Sequence, residues 1–238
     1  MDENQIPMAE EPQGSSFPWS ALDCWIGVGL LALVNVALLV FITQFPDLEL
    51  MQNAGIVFLQ LASLLPVVLI FAWKKIPWKH IRFTKFDSAT MGLGCDLVIA
   101  AYGIAAVHNL ILVALGVDTQ GAQILEIFSE LDSPIWFFIV GVIVAPLVEE
   151  IFFRGFLFQG FRQRYGWIAG LVLSSFIFAA AHLGPVAFIP TFLLGAVMAY
   201  VYHRSNSILP GVVLHFLVNG FGLCAAYAAT QIPGIIPA

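Results

Sequence analysis

The chain has 238 residues, of which 60% are hydrophobic and only 10% are charged. Soluble domains carry about 25% charged residues, so this composition excludes an ordinary soluble globular protein. The net charge of −6 says little about partners because the charges are unevenly placed, and the sequence offers no nucleic-acid-binding surface. The apolar residues instead occur in runs of roughly 20, the length of a membrane-spanning helix.

The N-terminal residues 1–20 are acidic and polar and contain three prolines. They predict a disordered cytoplasmic tail rather than a signal peptide, because no Lys or Arg precedes the first apolar run and that run is too long. Three cysteines have neither metal nor redox spacing and are interpreted as apolar packing residues; they are Cys24, Cys95 and Cys224.

Seven membrane spans follow, in a single transmembrane helical domain over residues 21–230 that precedes a short tail over 231–238. Their predicted limits are about 22–44, 54–73, 89–115, 134–161, 167–183, 186–203 and 208–229. Between spans three and four, one helical face is apolar, which predicts a short amphipathic helix lying in the membrane interface; the face consists of Ile124, Ile127, Phe128 and Leu131. An eighth, atypical membrane segment is the alternative. The fold class is therefore an all-α, polytopic membrane helical bundle.

All nine Lys and Arg residues fall on one side of this topology, and the opposite loops contain acidic residues but no basic one. Because basic loops are retained in the cytoplasm, we predict a cytoplasmic N-terminus and an outside C-terminus, in the plasma membrane. No internal repeat is found, which counts against a secondary transporter.

Ionisable side chains within spans are the candidates for function, because burying them in lipid is costly. They are Asp96, His108, Glu149, Glu150, His182, His203 and His215. A structural hydrogen bond is the favoured role for Asp96 and His108, and His203 stands at the cytoplasmic edge.

Span four contains the densest cluster. Glu150 and Arg154 are four residues apart, so they share a helical face and can pair. Glu149 points about 100° away and is free to meet another helix. Pro146 removes a backbone donor one turn earlier and is expected to kink the span near the carbonyl of Val142, which suits a pocket. A purely structural ion-pair cluster near the cytoplasmic surface is the alternative.

Two further clusters lie on spans five and seven. His182 ends span five, and His215 and Asn219 share one face of span seven. Each could be a helix cap or a hydrogen bond between helices. Three clusters on three of the last four spans are most easily buried if they converge on one wet cavity.

The chemistry open to these residues is limited. The sequence has no GxSxG and no HExxH, so neither a serine nucleophile nor the common zinc-protease helix is expected. One route is a zinc ion held by Glu149, His182 and His215. The other is metal-free, with a glutamate as general base and a histidine or Asn219 donating to the oxyanion. Both routes hydrolyse an amide.

Three short motifs resemble those of a known family. They are "EEIFFR" (Glu149, Glu150 and Arg154), "FAAAH" (ending at His182) and "HFLVN" (His215 and Asn219). They are similar, in the same order, to the EExxxR, FxxxH and HxxxN/D motifs of the CAAX-processing and bacteriocin-processing (CPBP) intramembrane proteases. The resemblance covers about residues 134–220, the expected protease core.

The resemblance implies an endopeptidase that cuts a peptide or prenylated protein near the cytoplasmic membrane face. By analogy, Glu149 and His182 activate water, while His215 and Asn219 stabilise the oxyanion; Glu150 and Arg154 support the site. Both metal-dependent and metal-free mechanisms are argued for the family, so zinc stays open. Alternatives are a non-catalytic bacteriocin immunity or scaffold protein and, less favoured, a proton-coupled transporter.

The expected depths of the candidate residues below the cytoplasmic membrane face disagree with a shared site. At about 1.5 Å per residue, Glu149 and His215 fall within roughly 10 Å of the cytoplasmic face, whereas His182 falls about 20 Å inside. We expect a tilted hairpin of spans five and six, turning at Gly184 and Pro185, to remove the discrepancy.

Overall fold

The computed structural model describes residues 17–44, 57–58, 60–130 and 134–232. The regular structure of these residues is helical. The helices are α1 (Ala21–Gln44), α2 (Leu65–Lys74), α3 (Ser88–Ala114), α4 (Gln120–Glu130), α5 (Ile135–Tyr165), α6 (Trp167–Ala181), α7 (Phe188–Ser205) and α8 (Leu209–Thr230), with short 3₁₀ turns at Trp78–Ile81 and Pro185–Ala187.

Five of these helices, α1, α3, α5, α7 and α8, are long and apolar enough to cross a membrane. Two shorter apolar helices occupy the predicted second and fifth spans. The predicted all-α, polytopic membrane bundle is confirmed, and the chain is a multi-pass membrane protein. The described residues do not include 233–238 of the predicted C-terminal tail or 1–16 of the predicted N-terminal tail.

Helix α5 is continuous but not regular. Its stretches Ile139–Val144 and Glu150–Phe158 are π-helical, and the short α-helical segment between them begins next to Pro146. A proline leaves one carbonyl of the preceding turn without its donor, and wider turns accommodate such a loss. The irregularity predicted near Val142 is therefore present, as a π-helical stretch. All nine residues of the second stretch are buried, which makes it the centre of the bundle.

Helices α6 and α7 form a hairpin that packs beside α5, with α3 and α8 against α7. The α5–α6 turn is made by Gly166, whose φ of 85° is a conformation that glycine adopts without strain. Glu149 precedes Gly166 by 17 residues and His182 follows it by 16, so both lie roughly 25 Å from this turn.

The prediction that His182 lies deeper in the membrane than Glu149 is therefore wrong. It arose because Arg154 was placed near the cytoplasmic surface and span four was ended at Phe161. The structure continues α5 to Tyr165 and buries Arg154, whose side chain is 1% exposed. A tilt of the hairpin is not needed to bring the two residues to one level.

Residues 17–20 were included in the predicted disordered tail, but they pack against the bundle. The ring of Trp19 is 1% exposed, and its Nε1 donates to the carbonyl of Phe156 at 3.0 Å. It also contacts the ring of Phe71. Burial of a large aromatic side chain outweighs the disorder that the surrounding polar composition favours.

The amphipathic helix α4 packs on α8. Phe128 is buried there between the rings of Phe137, Phe138 and Tyr227. The side chain of Ile127 and the residue Leu131, also assigned to the apolar face, lie outside the described part of the chain. Helix α4 thus closes one side of the bundle over the site described next.

Candidate functional site

Glu150 and Arg154 form a buried ion pair on one face of α5. The Nη1 atom of Arg154 lies 2.8 Å from Oε1 of Glu150, as the four-residue spacing predicted, and the two side chains are 1% and 0% exposed. The Nη2 atom donates to the carbonyl of Gly195 on α7 at 3.0 Å. The guanidinium also lies over the ring of Phe178, 4.5 Å from its centroid. The pair therefore lies inside the bundle and ties three helices together.

His215 connects the two glutamates. Its Nδ1 lies 3.2 Å from Oε1 of Glu150, and its Nε2 lies 3.7 Å from Oε2 of Glu149. An ionised carboxylate only accepts hydrogen bonds, so Glu150 fixes a proton on Nδ1 of His215. The second imidazole nitrogen is then directed at Glu149, which is the residue that sequence analysis singled out.

His182 is held by its own helix. Its Nδ1 lies 2.8 Å from the carbonyl of Phe178, one turn earlier, and its ring is set edge-on to the Phe178 ring. A carbonyl only accepts, so Nδ1 carries the proton and Nε2 keeps its lone pair. The Phe178 ring also makes an edge contact with His215, so this phenylalanine separates and orients the two histidines.

Asn219 makes a hydrogen bond between helices, the alternative role that the sequence analysis named for it. Its Nδ2 donates to the carbonyl of Gly141 at 2.8 Å, within the first π-helical stretch of α5. An amide nitrogen carries two hydrogens, so one remains for another acceptor. Asn219 therefore braces α8 against α5 and also borders the cavity between them.

A cavity of about 550 Å³ opens between α3, α4, α5, α7 and α8. Glu149, His182, His215 and Asn219 all line it, so the structure brings the four predicted residues to one space. Most of its remaining wall is apolar, with Leu194 and Met198 among the contributors. Pockets of this size and character are typical of ligand sites in proteins.

The same residues do not form a metal site. Among the residues that the structure describes, no three His, Cys, Asp or Glu side chains are grouped so as to hold a metal ion. Nδ1 of His215 faces Glu150, and Nδ1 of His182 faces a backbone carbonyl. Both contacts leave Nε2 available as a ligand, so the zinc route fails on the grouping of the three side chains in this arrangement and not on the histidine tautomers.

Sequence reasoning missed Gln60, whose Nε2 donates to Oε1 of Glu149 at 3.0 Å. It considered the carboxylates and histidines in the spans, and among the amides Asn219, which shares a helical face with His215; a search of every amide in the spans also detects Gln60. The structural hydrogen bond expected for His108 is not found at its Nδ1, which is buried without a partner within the described residues. Asp96 is exposed on α3.

Comparisons with known proteins agree with the motifs. Residues 131–221 match the family model described as type II CAAX prenyl endopeptidase Rce1-like. This region contains α5 to most of α8, and with them all six residues of the three motifs. No solved structure matches the chain significantly.

Three similar proteins come from bacteria. The putative membrane peptidase YdiL of Bacillus subtilis is 25% identical over 161 residues, which cover 65% of this chain and 65% of that protein. An uncharacterized 24.3 kDa protein of Escherichia coli is 36% identical over 34% of this chain and 40% of its own length. The membrane-embedded CAAX protease MroQ of Staphylococcus aureus is 34% identical over 37% of this chain and 38% of its own.

The chain thus spans less than two thirds of each of these relatives. The shared region is nevertheless the one in which the three motifs meet around a single cavity. In this region the chain is similar to the type II CAAX prenyl endopeptidase Rce1-like family, in agreement with the resemblance to CPBP proteases that the three motifs indicated.

Proposed function

We propose that this protein is an intramembrane endopeptidase that uses Glu149 to activate a water molecule. The observation that carries the proposal is the meeting of Glu149, His182, His215 and Asn219 at one cavity of about 550 Å³. The substrate is a peptide, and the family description and the name of MroQ, a CAAX protease, support a CAAX-type protein as its class.

Glu149 is the best-placed general base. It is ionisable, lines the cavity, and its Oε2 is buried with no hydrogen-bond partner among the described side chains. Such an oxygen can take a proton from water while the resulting hydroxide attacks the scissile carbonyl carbon. His182, whose Nε2 keeps a lone pair, can hold the same water by accepting its second proton in a hydrogen bond.

The tetrahedral intermediate needs donors for its negative oxygen. Asn219 supplies one, because its amide has a hydrogen beyond the one given to Gly141. His215 supplies another from Nε2 in the form that carries a proton on both ring nitrogens, with Nδ1–H held by Glu150. Glu149 then returns its proton to the amide nitrogen, the carbon–nitrogen bond breaks, and an acid and an amine leave. Glu150 and Arg154 hold this arrangement and take no part in the bond changes.

The test is cleavage by the purified protein in proteoliposomes. A farnesylated CAAX peptide and a pool of unmodified peptides are offered, and products are identified by mass spectrometry. Glu149→Gln is expected to abolish cleavage while insertion and unfolding temperature are retained. Asp118→Asn, which removes one exposed carboxylate outside the cavity, is the matched control and keeps full activity. Equal cleavage by the two variants rejects Glu149 as the base.

The runner-up function, a non-catalytic immunity or scaffold protein, makes the opposite prediction. It requires that no peptide is cleaved and that Glu149→Gln, which is nearly isosteric, leaves the biological effect of the protein unchanged. Metal-loading and chelation of the same preparations decide whether activity depends on a metal ion.

A further inference from the structure

A second cavity of about 180 Å³ lies on the other side of Glu149. It is formed where α1 and the residues before α2 meet α5 and the end of α6. Asn35, Gln60 and Ser63 line it, all from the part of the chain before the family match. Polar side chains in otherwise apolar membrane segments are costly and mark functional positions.

The two cavities differ in character. Half of the ten residues around the smaller one are polar, whereas two thirds of those around the larger one are apolar. A water molecule takes about 30 Å³ of liquid volume, so the smaller cavity holds roughly six. Polar lining and sufficient volume are the two conditions for a cavity to contain water.

Glu149 and His182 are the two residues that line both cavities among those described. They therefore stand at the boundary between a polar space and an apolar one. A peptide that fills the larger cavity excludes water from it, so the water for hydrolysis must arrive by another route. The smaller cavity reaches the same two side chains from the opposite side.

Gln60 orients the carboxylate of Glu149 at the boundary between the two cavities. Its Nε2 donates to Oε1 of Glu149 at 3.0 Å, which occupies that oxygen. The other oxygen, Oε2, lies 3.7 Å from Nε2 of His215 and has no hydrogen bond within the described part of the chain. The amide thereby fixes the orientation of the carboxylate, with Oε1 held by a residue of the smaller cavity and Oε2 directed at His215, which lines the larger one.

We propose that the cavity lined by Asn35, Gln60 and Ser63 is a water chamber that supplies the hydrolytic water, and that Gln60 is a positioning residue for Glu149. The proposal rests on the proposed peptidase function. Water enters from this side and peptide from the other. The proton of the water passes to Oε2 of Glu149, and its oxygen bonds to the scissile carbonyl carbon before the carbon–nitrogen bond breaks.

The chamber is tested first without any activity. In a background in which the three native cysteines are replaced by alanine, Asn35→Cys and Val36→Cys are compared in proteoliposomes. Val36 is 58% exposed on the apolar helix α1, and we expect it to face lipid. A small hydrophilic methanethiosulfonate reagent needs an ionised, hydrated thiol, so labelling at position 35 is expected to be at least tenfold faster. Equal rates overturn the chamber whether or not the protein is a peptidase.

The role of Gln60 is tested by kinetics. Gln60→Met has a similar volume but no donor, and we expect kcat to fall about 10- to 100-fold with KM within twofold. Gln123→Met, on the exposed face of α4, keeps both values.

The outcomes separate the two proposals. A rise in KM alone assigns Gln60 to peptide binding and overturns its positioning role, as does an unchanged kcat. Cleavage retained by Glu149→Gln removes the peptidase mechanism, while the labelling result at Asn35 stands independently.

Discussion

Nδ1 of His215 lies 3.2 Å from Oε1 of Glu150, so this glutamate contacts a histidine of α8 as well as Arg154 of its own helix. The sequence interpretation gave Glu150 only the arginine. The added contact makes Glu150 the junction of a buried network, because Arg154 continues it to the carbonyl of Gly195 on α7. The charge pair thereby fixes the imidazole that faces Glu149.

Glu150→Gln is expected to destabilise the protein by about 3–5 kcal/mol, because it leaves the buried guanidinium of Arg154 without its counter-charge. Denaturant unfolding in detergent measures the change. The double variant Glu150→Gln with Arg154→Met is expected to recover most of this loss, since both members of the pair are then neutral. Additive losses in the double variant contradict the pairing.

Gly211 allows α8 to approach Glu150. A β-carbon at this position comes within 2.8 Å of Oε2 of Glu150, which has to move. Gly211→Ala is therefore expected to cost about 1–3 kcal/mol and to reduce activity by displacing the carboxylate that orients His215. Gly103→Ala on α3 meets no atom within 4 Å and is expected to stabilise by about 0.5–1 kcal/mol. Unfolding midpoints of the two variants check the opposite signs.

Hydropathy was sufficient to predict the helices, because a membrane-spanning segment must be apolar along its whole length. The predicted start of span three, residue 89, and its end, residue 115, each differ from Ser88–Ala114 by one residue. The helix period also predicted the pairing of Glu150 with Arg154. These features depend on local sequence alone.

Contacts between distant segments could not be predicted in this way. The hydrogen bond of Gln60 to Glu149 joins residues 89 apart, and that of Trp19 to the carbonyl of Phe156 joins residues 137 apart. Such pairs are decided by packing, for which a single sequence has no periodic signal. The π-helical stretches of α5 also change which side chains share a face over the length of the helix, although the local pairing of Glu150 with Arg154 is retained.

The orientation of the chain stays a prediction from its basic residues. Four of the nine, including Lys75 and Lys85, lie between α2 and α3, and a fifth, Lys74, ends α2. Alkaline phosphatase fused after Thr230 is expected to be active, because the C-terminus is predicted to lie outside. The same enzyme inserted beside Lys85 is expected to be inactive. Reversed activities contradict the assigned orientation.

His80 is expected to make stability depend on pH. Burial, and then the charges of Lys79 and Arg82, hold the pKa of His80 below its ordinary value. The unfolded chain therefore binds more protons between that lowered pKa and about 6.5, and stability decreases as the pH falls through this window. Unfolding midpoints at pH 7.5 and 5.5 are expected to differ less in His80→Gln than in the natural chain. Equal differences contradict the assignment.

His182 is the residue for which activity and stability are expected to separate most clearly. It is exposed at the end of α6, so His182→Ala is expected to change the free energy of unfolding by less than about 1 kcal/mol. The loss of the water-holding imidazole is expected to lower kcat by about 10²- to 10⁴-fold. Peptide cleavage and unfolding are measured on the same preparation, with His80→Gln as the histidine control. A large loss of stability with proportionate loss of activity assigns His182 a structural role as a helix cap.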